Sequence, residues 1–95
     1  MRSYLVETYL ARGSAGQRSA LEERAGSAAD ELTTGETRVS FERSIYLPED
    51  ETCFFVFGAP SAQHALLAAK RAALEPIRVV EAIPSEVSEQ IRRTS

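Results

Sequence analysis

The sequence of 95 residues predicts an α+β fold, a four-stranded antiparallel sheet with two helices on one face, in the order strand, helix, strand, strand, helix, strand. Two observations carry that expectation. Arg38–Gly58 has a strand's two-residue period, Val39, Phe41, Ile45 and Leu47 alternating with Ser40, Glu42, Ser44 and Tyr46, before the β-forming run Cys53–Phe57. On either side lie alanine-rich stretches with helical spacing, cut off from short β-forming runs by Gly and Pro.

Taken in order, Tyr4–Leu10 reads as the first strand and Arg12-Gly13-Ser14 breaks it. Ser14 is the expected N-cap of a helix running to about Leu32, with Leu21, Ala25, Ala28 or Ala29, and Leu32 on one narrow apolar face. Gly16 and Gly26 each weaken that helix by up to ~1 kcal/mol relative to Ala. The hairpin follows, turning through Pro48-Glu49-Asp50-Glu51 and ending at Gly58-Ala59-Pro60. Ser61 then caps a second helix whose apolar face is Ala65, Leu66, Ala69, Ala72 and Ala73; Lys70 and Arg71 suit its C-terminal half, and Pro76 stops it. Ile77–Ile83 is the fourth strand, ended by Pro84. Residues 1–84 form one domain and 85–95 a tail that reads as a short helix. This order is the split βαβ, ferredoxin-like pattern, and right-handed crossovers place both helices on the same face.

Composition narrows the function classes. Hydrophobic content of 43% and charged content of 26% belong to a soluble globular chain. A net charge of -3 without a basic cluster argues against nucleic acid, and no apolar run approaches the ~20 residues that span a bilayer. Met1-Arg2-Ser3 leads straight into a strand-like stretch rather than a signal peptide's apolar core. One cysteine makes no internal disulfide, so a cytoplasmic address is expected.

The hairpin also predicts how the sheet faces divide. A turn centred on Glu49-Asp50 opposes Tyr46 to Cys53, Ser44 to Phe55, Glu42 to Phe57, Ile45 to Phe54, Arg43 to Val56 and Phe41 to Gly58. Phe41, Ile45, Leu47, Phe54 and Val56 are expected under the helices, with Arg43 as that face's one charge. Glu42, Ser44, Tyr46, Cys53, Phe55 and Phe57 are expected on the open face, joined by Leu5, Glu7 and Tyr9 from the first strand and Ile77, Val79, Glu81 and Ile83 from the last. An open face so apolar predicts a homodimer packed sheet on sheet, a dimeric α+β barrel with a lined interior. The plainer alternative is a dimer interface holding no ligand.

Within that face the candidate ligand-binding residues are Glu7, Tyr9, Glu42, Ser44, Tyr46, Phe55 and Glu81. Three mid-strand carboxylates sharing one face would perturb one another as a general base or metal site requires; otherwise they pair with Arg38, Arg43 or Arg78. The tyrosines either hydrogen-bond a ligand or fill space with the hydroxyl in water. His64 lacks a second His or Cys at ligand spacing, and Cys53 reads as a buried, inert thiol. Glu49-Asp50-Glu51 has calcium-like ligand chemistry without the EF-hand spacing and reads as a solvated turn. No Ser-His-Asp order, phosphate-binding loop, dinucleotide fingerprint or CxxC is present.

Tyr4-Leu5-Val6-Glu7, Arg43-Ser44, Pro48–Cys53, Ala59-Pro60-Ser61-Ala62 and Val80-Glu81-Ala82 together resemble a family of small bacterial ferredoxin-like proteins of unknown function, one member of which is described as a nickel-binding dimer. The resemblance spans about Tyr4 to Ile83. It implies the fold, the dimer and possible nickel binding, and it transfers no ligand residue by residue. The chain is thus expected to be a small dimeric protein binding a metal ion or small ligand between its sheets. The alternatives are a cofactor-free enzyme of the dimeric α+β-barrel type, a monooxygenase or isomerase with Glu7, Glu42 or Glu81 as base, and a regulatory partner module.

Overall fold

A computed structural model describes residues 1–83; the expected tail helix lies outside the described residues. Strand β1 is Arg2–Tyr9, helix α1 Arg18–Leu32, β2 Ser40–Leu47, β3 Thr52–Ala59, helix α2 Ala62–Arg71 and β4 Arg78–Ala82. The strands hydrogen-bond in the order β2-β3-β1-β4, all neighbours antiparallel. This is the ferredoxin-like βαββαβ fold that the sequence predicts.

The first helix begins later than expected. Arg12–Gln17 winds as a 3₁₀ segment, and Gln17, whose side chain makes no capping bond, replaces Ser14 as N-cap of α1. Gly13 and Gly16 fall in that segment, where the short tight turn common at helix starts costs less than extending the α-helix through two glycines. The second helix starts as expected. Ser61 is extended, with φ -154° and ψ 163°, and its Oγ accepts from His64 N at 3.3 Å.

At the end of α2, Ala73 takes the left-handed conformation, φ 58°. Ala73 N donates to Lys70 O and Leu74 N to Ala69 O, each at 3.0 Å, which is a Schellman cap with alanine where glycine is usual. Ala73 is therefore exposed rather than on the apolar face of the helix, and Ala68 joins Ala65, Ala69 and Ala72 in the core. Arg24 of α1 donates to Ala72 O at 2.8 Å and Ala73 O at 3.2 Å, so one helix's guanidinium caps the other's C-terminal carbonyls.

The hairpin register is as expected from Leu47↔Thr52 to Arg43↔Val56. Beyond it, a bulge between Phe41 and Arg43 leaves Glu42 unpaired, so Phe41 opposes Phe57 and Ser40 opposes Gly58. From Arg43 through Phe57 the faces of the hairpin are the reverse of those expected, while the bulge returns Phe41 to the helix side and leaves Glu42 on the open one, as expected. Cys53, Phe55, Phe57 and Ala59 are buried with Tyr4 and Val6 against Ala25, Ala28, Ala29, Ala65, Ala68 and Ala69. β1 decides the matter: Tyr4↔Phe57, Val6↔Phe55 and Thr8↔Cys53 are cross-strand partners, and the fully buried Val6 commits its row to the helix side. Alanines let both helices lie close on this sheet, leaving room for phenylalanines below them.

Candidate functional site

The face that the helices leave uncovered is an ordered grid of side chains. Reading across β2, β3, β1 and β4, its rows are Ser40–Gly58–Ser3–Ala82, Arg43–Val56–Leu5–Val80 and Ile45–Phe54–Glu7–Arg78, with Leu47–Thr52–Tyr9 below. Leu5, Phe54 and Val80 are half-buried, whereas Ile45 and Leu47 are 42% and 40% exposed. Glu7 and Arg78 form an ion pair at 2.6 Å across β1 and β4. Between Leu5, Ile45, Val56, Ser3, Glu42 and Arg43 the sheet dips into an open depression of about 310 Å³.

Gly58 and the bulge shape that depression. A Cβ at Gly58 would stand 2.8 Å from Ser40 Oγ and 2.9 Å from Glu42 Oε2, so only glycine lets both side chains lie over the strand. Glu42 accepts from Ser3 Oγ at 3.2 Å.

Of the seven expected site residues, Glu7, Tyr9 and Glu42 lie on the open face. Glu7 is tied to Arg78, and the Tyr9 hydroxyl donates to Glu51 Oε1 at 3.4 Å, whose carboxylate raises the phenol's pKa. Ser44, Tyr46 and Phe55 lie under the helices instead, a correction that follows from the reversed hairpin. Ser44 Oγ accepts from Arg18 Nε at 2.8 Å and donates to Glu22 Oε2 at 2.5 Å, which fastens α1 to β2. Tyr46 donates to Leu10 O at 2.9 Å with the Arg18 guanidinium over its ring, and Phe55 is 1% exposed. Glu81, opposite Tyr4, points to the helix side, where its carboxylate is 3.9 Å from Arg2. Val79 also packs on the core, and Arg78, Val80 and Ala82 take the open positions expected for Ile77, Val79 and Glu81.

The remaining candidates are accounted for locally. Cys53 is fully buried, and burial raises its thiol pKa, with Arg18 opposing and Glu22 adding. His64 Nδ1 lies 2.8 Å from Ser61 Oγ. Glu51 is no free ligand of the acidic turn: its side chain accepts from Arg12 N at 2.9 Å and its carbonyl from Leu10 N at 2.8 Å, pinning the hairpin tip to the end of β1. Sequence reasoning missed Ser3, Arg43, Ile45 and Val56 as open-face residues; the signal that finds them is the parity of β1, carried through its pairing with β3.

No helix among the described residues is long and apolar enough to cross a membrane. No protein-family model matches the chain, and no curated protein matches it. A solved structure, SCO4226 from Streptomyces coelicolor A3(2), superposes with a TM-score of 0.72 at 15% identity, covering 87% of this chain and 98% of that one. At that identity the likeness is one of fold: the chain is a small ferredoxin-like α+β domain of the same architecture as SCO4226.

Proposed function

We propose that the protein is a cytoplasmic binding module that dimerises through its open sheet face and holds a small ligand between the two sheets. The observation that supports this reading is the apolar grid of Leu5, Ile45, Leu47, Phe54, Val56 and Val80, continuous over three strands and into the fourth. The three strands of eight residues extend ~26 Å and the fourth, of five residues, ~17 Å, and the four together are ~19 Å across. The flat outline of that face, at most ~500 Å², suits an interface at the low end of the specific range. A reduced, buried and unpaired Cys53 suits the cytoplasmic address.

Nickel finds little support in the donor set. Among the described residues no three His, Cys, Asp or Glu side chains converge. A cofactor-free enzyme needs a dry, unpaired base, whereas Glu7 is ion-paired, Glu81 faces the other way beside Arg2, and Glu42 is exposed and bonded to Ser3. A small organic ligand in the depression is the reading that remains.

Phe54→Asp is the direct test. Phe54 opposes Glu7, so the variant puts two carboxylates side by side in the proposed contact. Gel filtration should show wild-type dimer and variant monomer; equal elution of the two would reject the interface.

A further inference from the structure

We infer that the depression on the open face, closed over by the dimer proposed above and resting on that reading, takes a small apolar monocarboxylic acid, with Arg43 as the counter-charge of its carboxylate. The charges of the open face are unequally matched. Arg78 is held by Glu7 at 2.6 Å. Glu42 is drawn toward Ser3 and over Gly58, away from its sequence neighbour. Among the described residues Arg43 enters no ion pair, although it stands in an otherwise apolar row with Val56, Leu5 and Val80. A second sheet closing over that row strips water from the guanidinium, and a desolvated charge persists only with a partner.

The shape and chemistry of the depression select that partner. Arginine's planar fork matches a carboxylate through two parallel hydrogen bonds. A single guanidinium, with both helix N-termini on the opposite face of the sheet, suits one negative charge rather than a phosphate's two. Leu5, Ile45, Val56, Ala82 and Ile83 make most of the remaining wall, with Ser3 and Glu42 the other polar groups beside Arg43, so the body of the ligand is largely apolar, and about 310 Å³ per subunit lies at the small end of ligand pockets. A bound cation would meet the Arg43 guanidinium, and Glu42, which lines the same depression, has its carboxylate turned to Ser3.

Titration calorimetry tests this on full-length protein, freed of co-purified small molecules by unfolding and refolding, with octanoate and its neutral analogue octanamide as probes. Sedimentation of the same samples reports the dimer. The wild-type dimer should bind octanoate at least about tenfold more tightly than octanamide. Arg43→Gln should stay dimeric and lose that preference, and Arg43→Lys should recover part of it. A dimer with no octanoate binding below ~1 mM, or with equal affinity for both probes, overturns the ligand class and leaves the dimer standing. Arg43→Gln weakening the dimer without octanoate would show that the partner chain supplies the anion, which also overturns the inference. A wild-type monomer rejects the interface itself, and this site with it.

Discussion

The helix-covered face of this sheet carries most of the large aromatic side chains, Tyr4, Phe41, Tyr46, Phe55 and Phe57 against Tyr9 and Phe54 on the open face, and the two faces differ also in how their polar groups are settled. Under the helices, every polar group that dips into the core is met. Ser44 is held between Arg18 and Glu22, Thr8 Oγ1 donates to Cys53 O at 2.7 Å, and no buried side-chain nitrogen or oxygen among the described residues lacks a partner. On the open face Arg43 is exposed and, among the described residues, stands without an ion pair beside Val56 and Ile45. Polar accounting thus marks the helix-covered side as a finished interior, whereas the open face leaves Arg43 to solvent.

Phe54 and Phe55 are neighbours in β3 and sample the two faces directly. Phe55→Ala opens a cavity in the helix-covered core and should cost ~3–5 kcal/mol in a urea melt. Phe54→Ala should cost the folded subunit clearly less and act on association instead. Equal losses of stability, with no change in association, would erase the distinction between the faces.

How much of this was legible follows from the same strand. The element order, the Ser61 cap and most of the hairpin register come from local signals such as alternation, turn residues and capping chemistry. The facing of the hairpin does not, because Cys53, Phe55 and Phe57 on one side and Phe54 and Val56 on the other are both apolar. Only β1 carries a contrast, Tyr4, Val6 and Thr8 against Leu5, Glu7 and Tyr9, and its register against β3 joins residues about fifty positions apart, beyond any local pattern. Phe41 lies under the helices as expected, yet it does so through a bulge that alternation does not announce. Glu7, Tyr9 and Glu42 lie on the face that alternation predicts for them, whereas Arg43 lies on the opposite one for the same reason of parity.

The polar accounting is tested next. Ser44→Ala removes the hydroxyl that joins Arg18 to Glu22 and should destabilise by about 1–3 kcal/mol, whereas Ser3→Ala on the open face, where water replaces the lost bond to Glu42, should be near neutral. Ser61→Ala should cost ~1 kcal/mol through the lost cap of α2, visible as a lower melting midpoint.

The smallest effect concerns Cys53. Burial raises its thiol pKa above that of the unfolded chain, so its stabilising contribution is complete below the unfolded value and declines as pH rises toward the folded one. Relative to Cys53→Ala, the wild type should lose stability as pH rises through the unfolded thiol's value of about 8.5 and beyond it toward the folded one. An aromatic disulfide reagent should label the thiol only after denaturant is added; rapid labelling of the native protein would place Cys53 on the accessible face.

Sedimentation equilibrium of the wild-type chain, over a concentration range that reaches ~100 µM, tests the open face most directly. Burying the apolar grid predicts a monomer–dimer equilibrium, with the dimer predominant at the upper end and abolished by Phe54→Asp. A single species of 10.4 kDa throughout would contradict the account, because the open face would then be an exposed surface and not half of an interface.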